Sequence, residues 1–162
     1  MADPAHLAAV ITVSDGVSNG TREDTSGAAA ESLLRAAGFD VGSRVVVPDD
    51  RAEIERALRE LAVTHGLVVT TGGTGFGPRD LTPEGTRSVI EREAPGIAEA
   101  IRRVSDGDDR GFGMLSRGVA GIRGRALICN LPGSSGGARE GVDVLLPIAA
   151  HALDLLAGGH PH

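Results

Sequence analysis

Short apolar runs alternate with longer stretches in which apolar residues recur every three or four positions. That rhythm predicts an α/β fold. Leu7 to Val13, Val41 to Val47 and Leu67-Val68-Val69 read as strands, the last buried on both faces. Between them lie two helical patterns. One carries Ala30, Leu33, Leu34 and Ala37 behind the cap signal Asp24-Thr25-Ser26, and Gly38 marks its end. The other starts near Arg51, with Ile54, Leu58 and Leu61 on one face. Thr82 as N-cap and Pro83 at the first helical position predict a helix to about Glu93. Pro95 opens a further one along Ile97, Ile101 and Val104. Gly118 to Ile122 and Arg125 to Asn130 read as a small β-hairpin turning at Arg123-Gly124. The last helix carries Val142, Leu145, Leu146, Ala149, Ala152, Leu153 and Leu156; Pro147 inside it predicts a kink or a break. The span 106–113 reads as an exposed loop and 158–162 as a frayed tail. Read in order, the elements predict one domain over 1–162: a doubly wound, mostly parallel sheet flanked by helices.

Composition narrows the function. The chain has 162 residues, enough for one full core, and three Phe with no Tyr or Trp, so that core is aliphatic. A formal net charge of −6 and scarce aromatics argue against a nucleic-acid groove. No run reaches the length of a membrane span, and no basic leader precedes the first strand, which predicts a cytoplasmic protein. Cys129 is the one cysteine, so an internal disulfide and a cysteine zinc site are excluded; it sits in an apolar run as a small hydrophobe. All basic residues are arginine.

The chemistry gathers at strand ends. A glycine loop, Thr71-Gly72-Gly73-Thr74-Gly75-Phe76-Gly77-Pro78-Arg79-Asp80, joins the third strand to the helix opened by Pro83. Open α/β sheets bind ligands at such positions. The glycines allow close backbone approach, and Thr71, Thr74, Arg79 and Asp80 supply groups for a phosphate and a metal ion. As an exposed loop, it predicts that a side chain added at Gly73 disturbs binding more than folding. The absence of lysine rules out the phosphate loop G-x-x-x-x-G-K-[ST], and the glycine spacing does not fit G-x-G-x-x-G. Ser14-Asp15 follows the first strand and Asp49-Asp50 the second. Asp50 reads as a helix cap, whereas Asp49 is open between capping and sharing a site with Asp80, a carboxylate pair suited to Mg²⁺. Asn130 to Gly137 forms another strand–helix loop able to hold an anion. Within it Gly133-Ser134-Ser135-Gly136-Gly137 spells G-x-S-x-G, but the later acids and histidines lie mostly on the helix that follows, which disfavours a serine hydrolase. His65 is a candidate cation at a helix end, and Arg117 is open between an anion contact and a solvated side chain.

The glycine loop with Arg79-Asp80-x-Thr82-Pro83-Glu84, the Pro48-Asp49 turn, Ser14-Asp15 with Asp24-x-Ser26-Gly27, Leu115-Ser116-Arg117 and Leu131-Pro132-Gly133-Ser134 stand in one order along nearly the whole chain. Together they resemble the molybdopterin-binding domain family of molybdopterin adenylyltransferases and gephyrin-type G domains, in its compact form. The resemblance implies molybdenum cofactor biosynthesis by Mg²⁺-dependent adenylylation of molybdopterin with ATP, releasing pyrophosphate. It implies a homotrimer and a molybdenum-insertion enzyme as partner. Asp49 and Asp80 then match the catalytic, metal-holding acids. Ser14, Asp15, Thr71, Gly72, Gly73, Thr74, Gly75, Arg79, Ser116, Pro132, Gly133 and Ser134 match substrate-binding positions. The alternatives are a non-catalytic pterin-binding or assembly module and a nucleotide-pyrophosphate hydrolase on the same scaffold.

Overall fold

The computed structural model describes residues 3–105 and 111–160. The expected loop over 106–113 lies mostly outside them, as do the last two residues of the tail. Among the described residues, six strands form one sheet: β1 (Leu7–Val13), β2 (Asp40–Val47), β3 (Leu67–Thr71), β4 (Arg92–Glu93), β5 (Ala120–Arg123) and β6 (Ala126–Leu131). Their spatial order is β2-β1-β3-β6-β5-β4. β1 pairs in parallel with both β2 and β3, and β3 with β6. β5 and β4 close the sheet in antiparallel pairing, and Gly124, at φ +56, turns the β5–β6 hairpin. The mostly parallel, doubly wound sheet and its small hairpin are as expected.

Among the described residues, six α-helices surround it: α1 (Asp15–Ser18), α2 (Thr25–Ala36), α3 (Arg51–Ala62), α4 (Thr82–Val89), α5 (Pro95–Ser105) and α6 (Ser135–Leu156). One face of the sheet buries Ala30 and Leu34 of α2, Ile101 of α5, and Val142, Leu145 and Leu153 of α6. The other buries Ile54, Ala57 and Leu58 of α3 with Val89 of α4. The central strands are sealed on both sides: every residue from Ala8 to Val13 and from Leu67 to Thr71 is buried. The buried apolar residues of both layers are aliphatic apart from Cys129, with Phe39 packed at the margin of the first, as an aromatic-poor chain requires.

Four differences from the sequence reading have physical causes. α6 continues through Pro147 as a single helix, so no break occurs. The lost hydrogen bond falls in a long helix anchored along one side by its buried apolar stripe. α4 stops at Val89, and the chain leaves it extended to add β4, a two-residue strand too short to show alternation. The loop after β1 folds a single turn, α1, capped by Ser14 Oγ accepting from the Val17 N–H at 3.2 Å. Finally, the first helical residue of α4 is Thr82, not Pro83, and Leu81 is its N-cap without a side-chain bond. The Thr82 hydroxyl instead donates to the Gly72 carbonyl at 2.9 Å. Among the described residues, no helix is long and apolar enough to cross a membrane.

Candidate functional site

The chain runs from β1 outward to β2, then returns to lay β3 on the other side of β1. The carboxyl ends of β1 and β3 therefore form the point where the winding reverses, and the loops leaving them part to open a crevice. A cleft of about 340 Å³ lies there. Its walls come from Ser14 and Val17 after β1, Asp49 after β2, Thr71, Gly72, Gly73 and Asp80 after β3, and Gly133 and Ser134 after β6. Thr25 and Ser26 bring the amino end of α2 to the same space.

The loops after β1 and β2 are tied reciprocally. The Asp15 N–H donates to Asp49 Oδ2 at 2.8 Å, and the Asp49 N–H donates to Asp15 Oδ1 at 3.0 Å. Arg79, from the glycine loop, donates its Nε to Asp15 Oδ2 at 2.7 Å and its Nη2 to the Asp49 carbonyl at 3.1 Å. One guanidinium thus joins three loops. Asp15 and Arg79, expected at the substrate, are spent on each other and stand outside the cleft lining. Arg79 holds the Asp15 carboxyl below its ordinary value, helped by the N–H of Asp49. Asp49 is shifted the other way. Burial pushes its carboxyl up against the pull of the Asp15 N–H, and the charges of Asp15 and Asp80 add to the rise.

The glycine loop owes its shape to its own packing. Gly72 and Gly73 sit at φ +90 and +68, in the left-handed region. A Cβ at Gly72 would lie 2.4 Å from the Val13 carbonyl, and one at Gly73 would lie 2.3 Å from Thr82 Oγ1. These glycines are therefore required by the fold, which corrects the expectation that Gly73 is a merely exposed position. Gly75 and Gly77 surround the Asp80 carboxylate: a Cβ on either would approach Oδ2 to 2.9 Å, and the Gly77 N–H donates to that oxygen at 2.8 Å. Arg117 closes the loop from outside. Its backbone N–H donates to the Thr74 carbonyl at 2.8 Å, its Nε to the Gly75 carbonyl at 2.8 Å and its Nη2 to the Asp80 carbonyl at 2.7 Å. Its Nη1 pairs with Glu84 Oε1 and holds that carboxyl below its ordinary value. Arg117 is thus committed to the loop carbonyls and Glu84 rather than free in solvent.

Two helices aim their amino ends at the cleft. Asp24 caps α2 by accepting from the Gly27 N–H at 3.0 Å, while both its oxygens accept from Thr12 Oγ1 at 2.9 Å. Ser26 Oγ meets Thr71 Oγ1 at 3.0 Å, fastening α2 to the end of β3. Ser134 caps α6, its Oγ accepting from the Gly137 N–H at 3.0 Å. Gly133 packs on Gly72 so closely that a Cβ would reach its Cα at 3.1 Å.

Of the fourteen sequence-predicted positions, the structure gathers Ser14, Asp49, Thr71, Gly72, Gly73, Asp80, Gly133 and Ser134 around one cleft. Thr74 and Gly75 contact Arg117 through their carbonyls, and Pro132 backs the Ser134 loop against Gly137. Ser116 lies in a separate groove with Arg87 and Arg102. The sequence reading missed Thr12, Thr25 and Arg22 as cleft residues. Arg22 stands on the rim, and its guanidinium has no hydrogen-bond or ion-pair partner among the described residues. Asp50 caps α3 as expected, accepting from the Glu53 N–H at 3.0 Å. His65 Nδ1 meets the Leu61 carbonyl at 3.0 Å, at the end of α3. The Asp24-Thr25-Ser26 cap signal was the one clue that α2 starts at the site.

Asp49 and Asp80 both line the cleft. Each has Oδ2 held by a backbone N–H, and neither Oδ1 has a donor among the described residues. No group of three His, Cys, Asp or Glu side chains able to hold a metal occurs among those residues. Two carboxylate oxygens, with phosphate and water oxygens completing the shell, suit Mg²⁺, which keeps several non-protein ligands.

Fold and site define an α/β domain with a ligand cleft at the topological switch point, lined by carboxylates, glycine backbone and helix amino ends. Residues 9–151 match the family described as "Probable molybdopterin binding domain", and the chain belongs to that family. It is 38% identical over 158 residues to the "Molybdopterin adenylyltransferase" of Helicobacter pylori, covering 93% of this chain and 88% of that one. The structure of "Molybdopterin biosynthesis enzyme MoaB" from Thermus thermophilus superposes with a TM-score of 0.87 at 45% identity, over 94% of this chain and 96% of that one. A "molybdopterin biosynthesis protein" from Mycobacterium abscessus gives 0.90 at 41%, over 96% and 98%. Some relatives are longer: this chain spans 49% of the "Molybdenum cofactor biosynthesis bifunctional protein" of Chlorobaculum tepidum and 22% of Dictyostelium discoideum gephyrin.

Proposed function

We propose that this chain adenylylates molybdopterin with ATP in molybdenum cofactor biosynthesis. The observation that carries the reading is the pair Asp49 and Asp80, facing one cleft with an uncommitted oxygen each. An oxygen of the molybdopterin phosphate forms a bond to the α-phosphorus of ATP. The bond from that phosphorus to the bridging oxygen breaks, and pyrophosphate leaves with the electron pair. Such a reaction needs positioning and charge stabilisation more than a covalent intermediate. Asp49 and Asp80 would hold Mg²⁺, which supplies positive charge to the phosphate oxygens when bound. Backbone N–H groups at the starts of α2 and α6, together with Arg22, supply the rest of the anion binding. Binding a polyphosphate beside two carboxylic side chains without a cation would bring negative charge together, which favours the metal role.

In this reading the protein acts as a homotrimer and hands its product to a molybdenum-insertion enzyme. The kinship with a longer relative named as a bifunctional protein of molybdenum cofactor biosynthesis supports a link to a second activity in that biosynthesis. The test is incubation with ATP, Mg²⁺ and molybdopterin, with chromatographic detection of the adenylylated product and pyrophosphate. Molybdopterin binding without product would leave a binding module. AMP release from ATP without molybdopterin would point to the pyrophosphate hydrolase. Sedimentation of the purified protein decides the trimer.

A further inference from the structure

Arg117 enters from the segment before β5 and reaches a loop some forty positions earlier in the chain. It grips that loop by its backbone. Its three donor nitrogens take the Gly75 carbonyl, the Asp80 carbonyl and the Glu84 carboxylate, while its own N–H takes the Thr74 carbonyl. Those acceptors bracket the turn that presents Asp80. The Asp80 carboxylate is itself set by the Gly77 N–H inside the same turn. Glu84 depends on the arginine in return, because its Oε2 is buried without a hydrogen-bond partner among the described residues.

We propose that Arg117 is a positioning residue that fixes the glycine loop, so that Asp80 meets a metal-bound polyphosphate in one geometry. The inference rests on the metal role given to Asp80 above. A planar guanidinium with donors in a fixed fork serves three acceptors at once, and charge-assisted bonds of this kind are strong. Lysine keeps the charge but is a point donor on a flexible stem, and it cannot span Gly75, Asp80 and Glu84 together. Residues that orient a metal ligand from outside the coordination shell typically change metal affinity by about ten-fold or more when lost. Glu84 is the lesser partner: glutamine keeps a neutral acceptor for Nη1 and leaves both carbonyl contacts in place.

The experiment compares wild type with Arg117→Lys and Glu84→Gln at a temperature well below unfolding of all three. Amide hydrogen exchange is followed over residues 72–82, and Mn²⁺ binding in the presence of a non-hydrolysable ATP analogue is read from the signal of free Mn²⁺. In Arg117→Lys the amides of the loop should exchange about ten-fold faster or more, with β3 and α6 unchanged, and the Mn²⁺ dissociation constant should rise by about ten-fold. Glu84→Gln should show a smaller change of both. Loop exchange like that of wild type overturns the inference, as does faster exchange across the whole domain or Mn²⁺ affinity within about two-fold of wild type. A wild type that binds Mn²⁺ but makes no adenylylated molybdopterin ends the transferase reading and leaves the role of Arg117 standing. A wild type that binds no Mn²⁺ overturns both.

Discussion

Ionising Asp49 works against the folded state, because burial first and then the charges of Asp15 and Asp80 raise its carboxyl above the ordinary value of 3.8. For an acid raised on folding, the destabilising contribution is absent below the unfolded value. It grows as pH rises and is complete above the folded value. Asp49→Asn keeps an oxygen for the Asp15 N–H and removes that contribution. The variant should be at least as stable as wild type at pH 7, with the advantage vanishing as pH falls towards 3.8. Thermal melts of both proteins across that range check it; a wild type clearly more stable at pH 7 would contradict the sign. The same variant should lose adenylyl transfer, the usual conflict between stability and a site that gathers like charge. Asp80→Asn should keep molybdopterin binding while kcat falls by at least about two powers of ten, about 2.7 kcal/mol. Near-normal turnover at saturating Mg²⁺ would remove Asp80 from the metal. At this scale the sequence revealed residue types better than partners. That the loops of Asp49 and Asp80 meet at one cleft was legible because loops after parallel strands converge on one edge; the residues themselves leave open whether Asp49 serves that cleft. The pairings of Arg79 with Asp15 and of Arg117 with Gly75, Asp80 and Glu84 were not, because nothing local marks which loop an arginine will reach.

The glycine loop and the α6 cap show how an element is set by a few atoms. Gly73→Val meets two obstacles: a backbone at φ +68 and a Cβ 2.3 Å from Thr82 Oγ1. The left-handed conformation alone costs a branched residue on the order of 1–2 kcal/mol, and the clash breaks the Thr82 bond to Gly72 as well. The variant should therefore lose both ligand binding and stability by more than about 2 kcal/mol, read by denaturant unfolding. An unchanged unfolding midpoint would mean that the loop relaxes without the fold noticing. Ser134 and Ser135 separate in the same way. Ser134 caps α6, so Ser134→Ala should cost about 1 kcal/mol. Ser135 is an exposed first-turn residue, and Ser135→Ala should leave stability and adenylyl transfer nearly unchanged. Esterase turnover in wild type that disappears in Ser135→Ala would restore the hydrolase reading. The elements themselves were largely legible: β1 spans the residues its apolar run predicts, and α2 and α3 start at their cap signals. The misses were a two-residue strand, a single turn, a proline that a well-anchored helix absorbs, and the start of α4, which begins at Thr82 rather than Pro83.

At the scale of the whole molecule, order along the chain does not reveal order across the sheet. The parallel class follows from alternating strands and helices, but nothing in that alternation marks that β6 lies beside β3, where Gly133 of the loop after it packs on Gly72. That placement puts Cys129 of β6 between β3 and β5, in one of the most protected parts of the fold. Its side chain is buried, and burial pushes the thiol up to about 12. Native Cys129 thus has neither access nor thiolate with which to react at neutral pH. Modification must await an opening that separates β6 from its neighbours, which would dismantle the sheet joining all four cleft loops. Labelling by a thiol reagent in the fast-reclosing regime should therefore report global unfolding, and its rate should follow urea with the same dependence as the equilibrium unfolding curve. A ligand that binds only the folded cleft should suppress it in proportion. At about one hundred times its dissociation constant, the expected slowing is roughly one hundred-fold, about 2.7 kcal/mol. The measurement is the rate of thiol modification with and without Mg²⁺-ATP analogue and molybdopterin at fixed urea. Labelling that ignores both urea and ligands would mean that β6 opens locally, and that the cleft and the central sheet are not one cooperative unit.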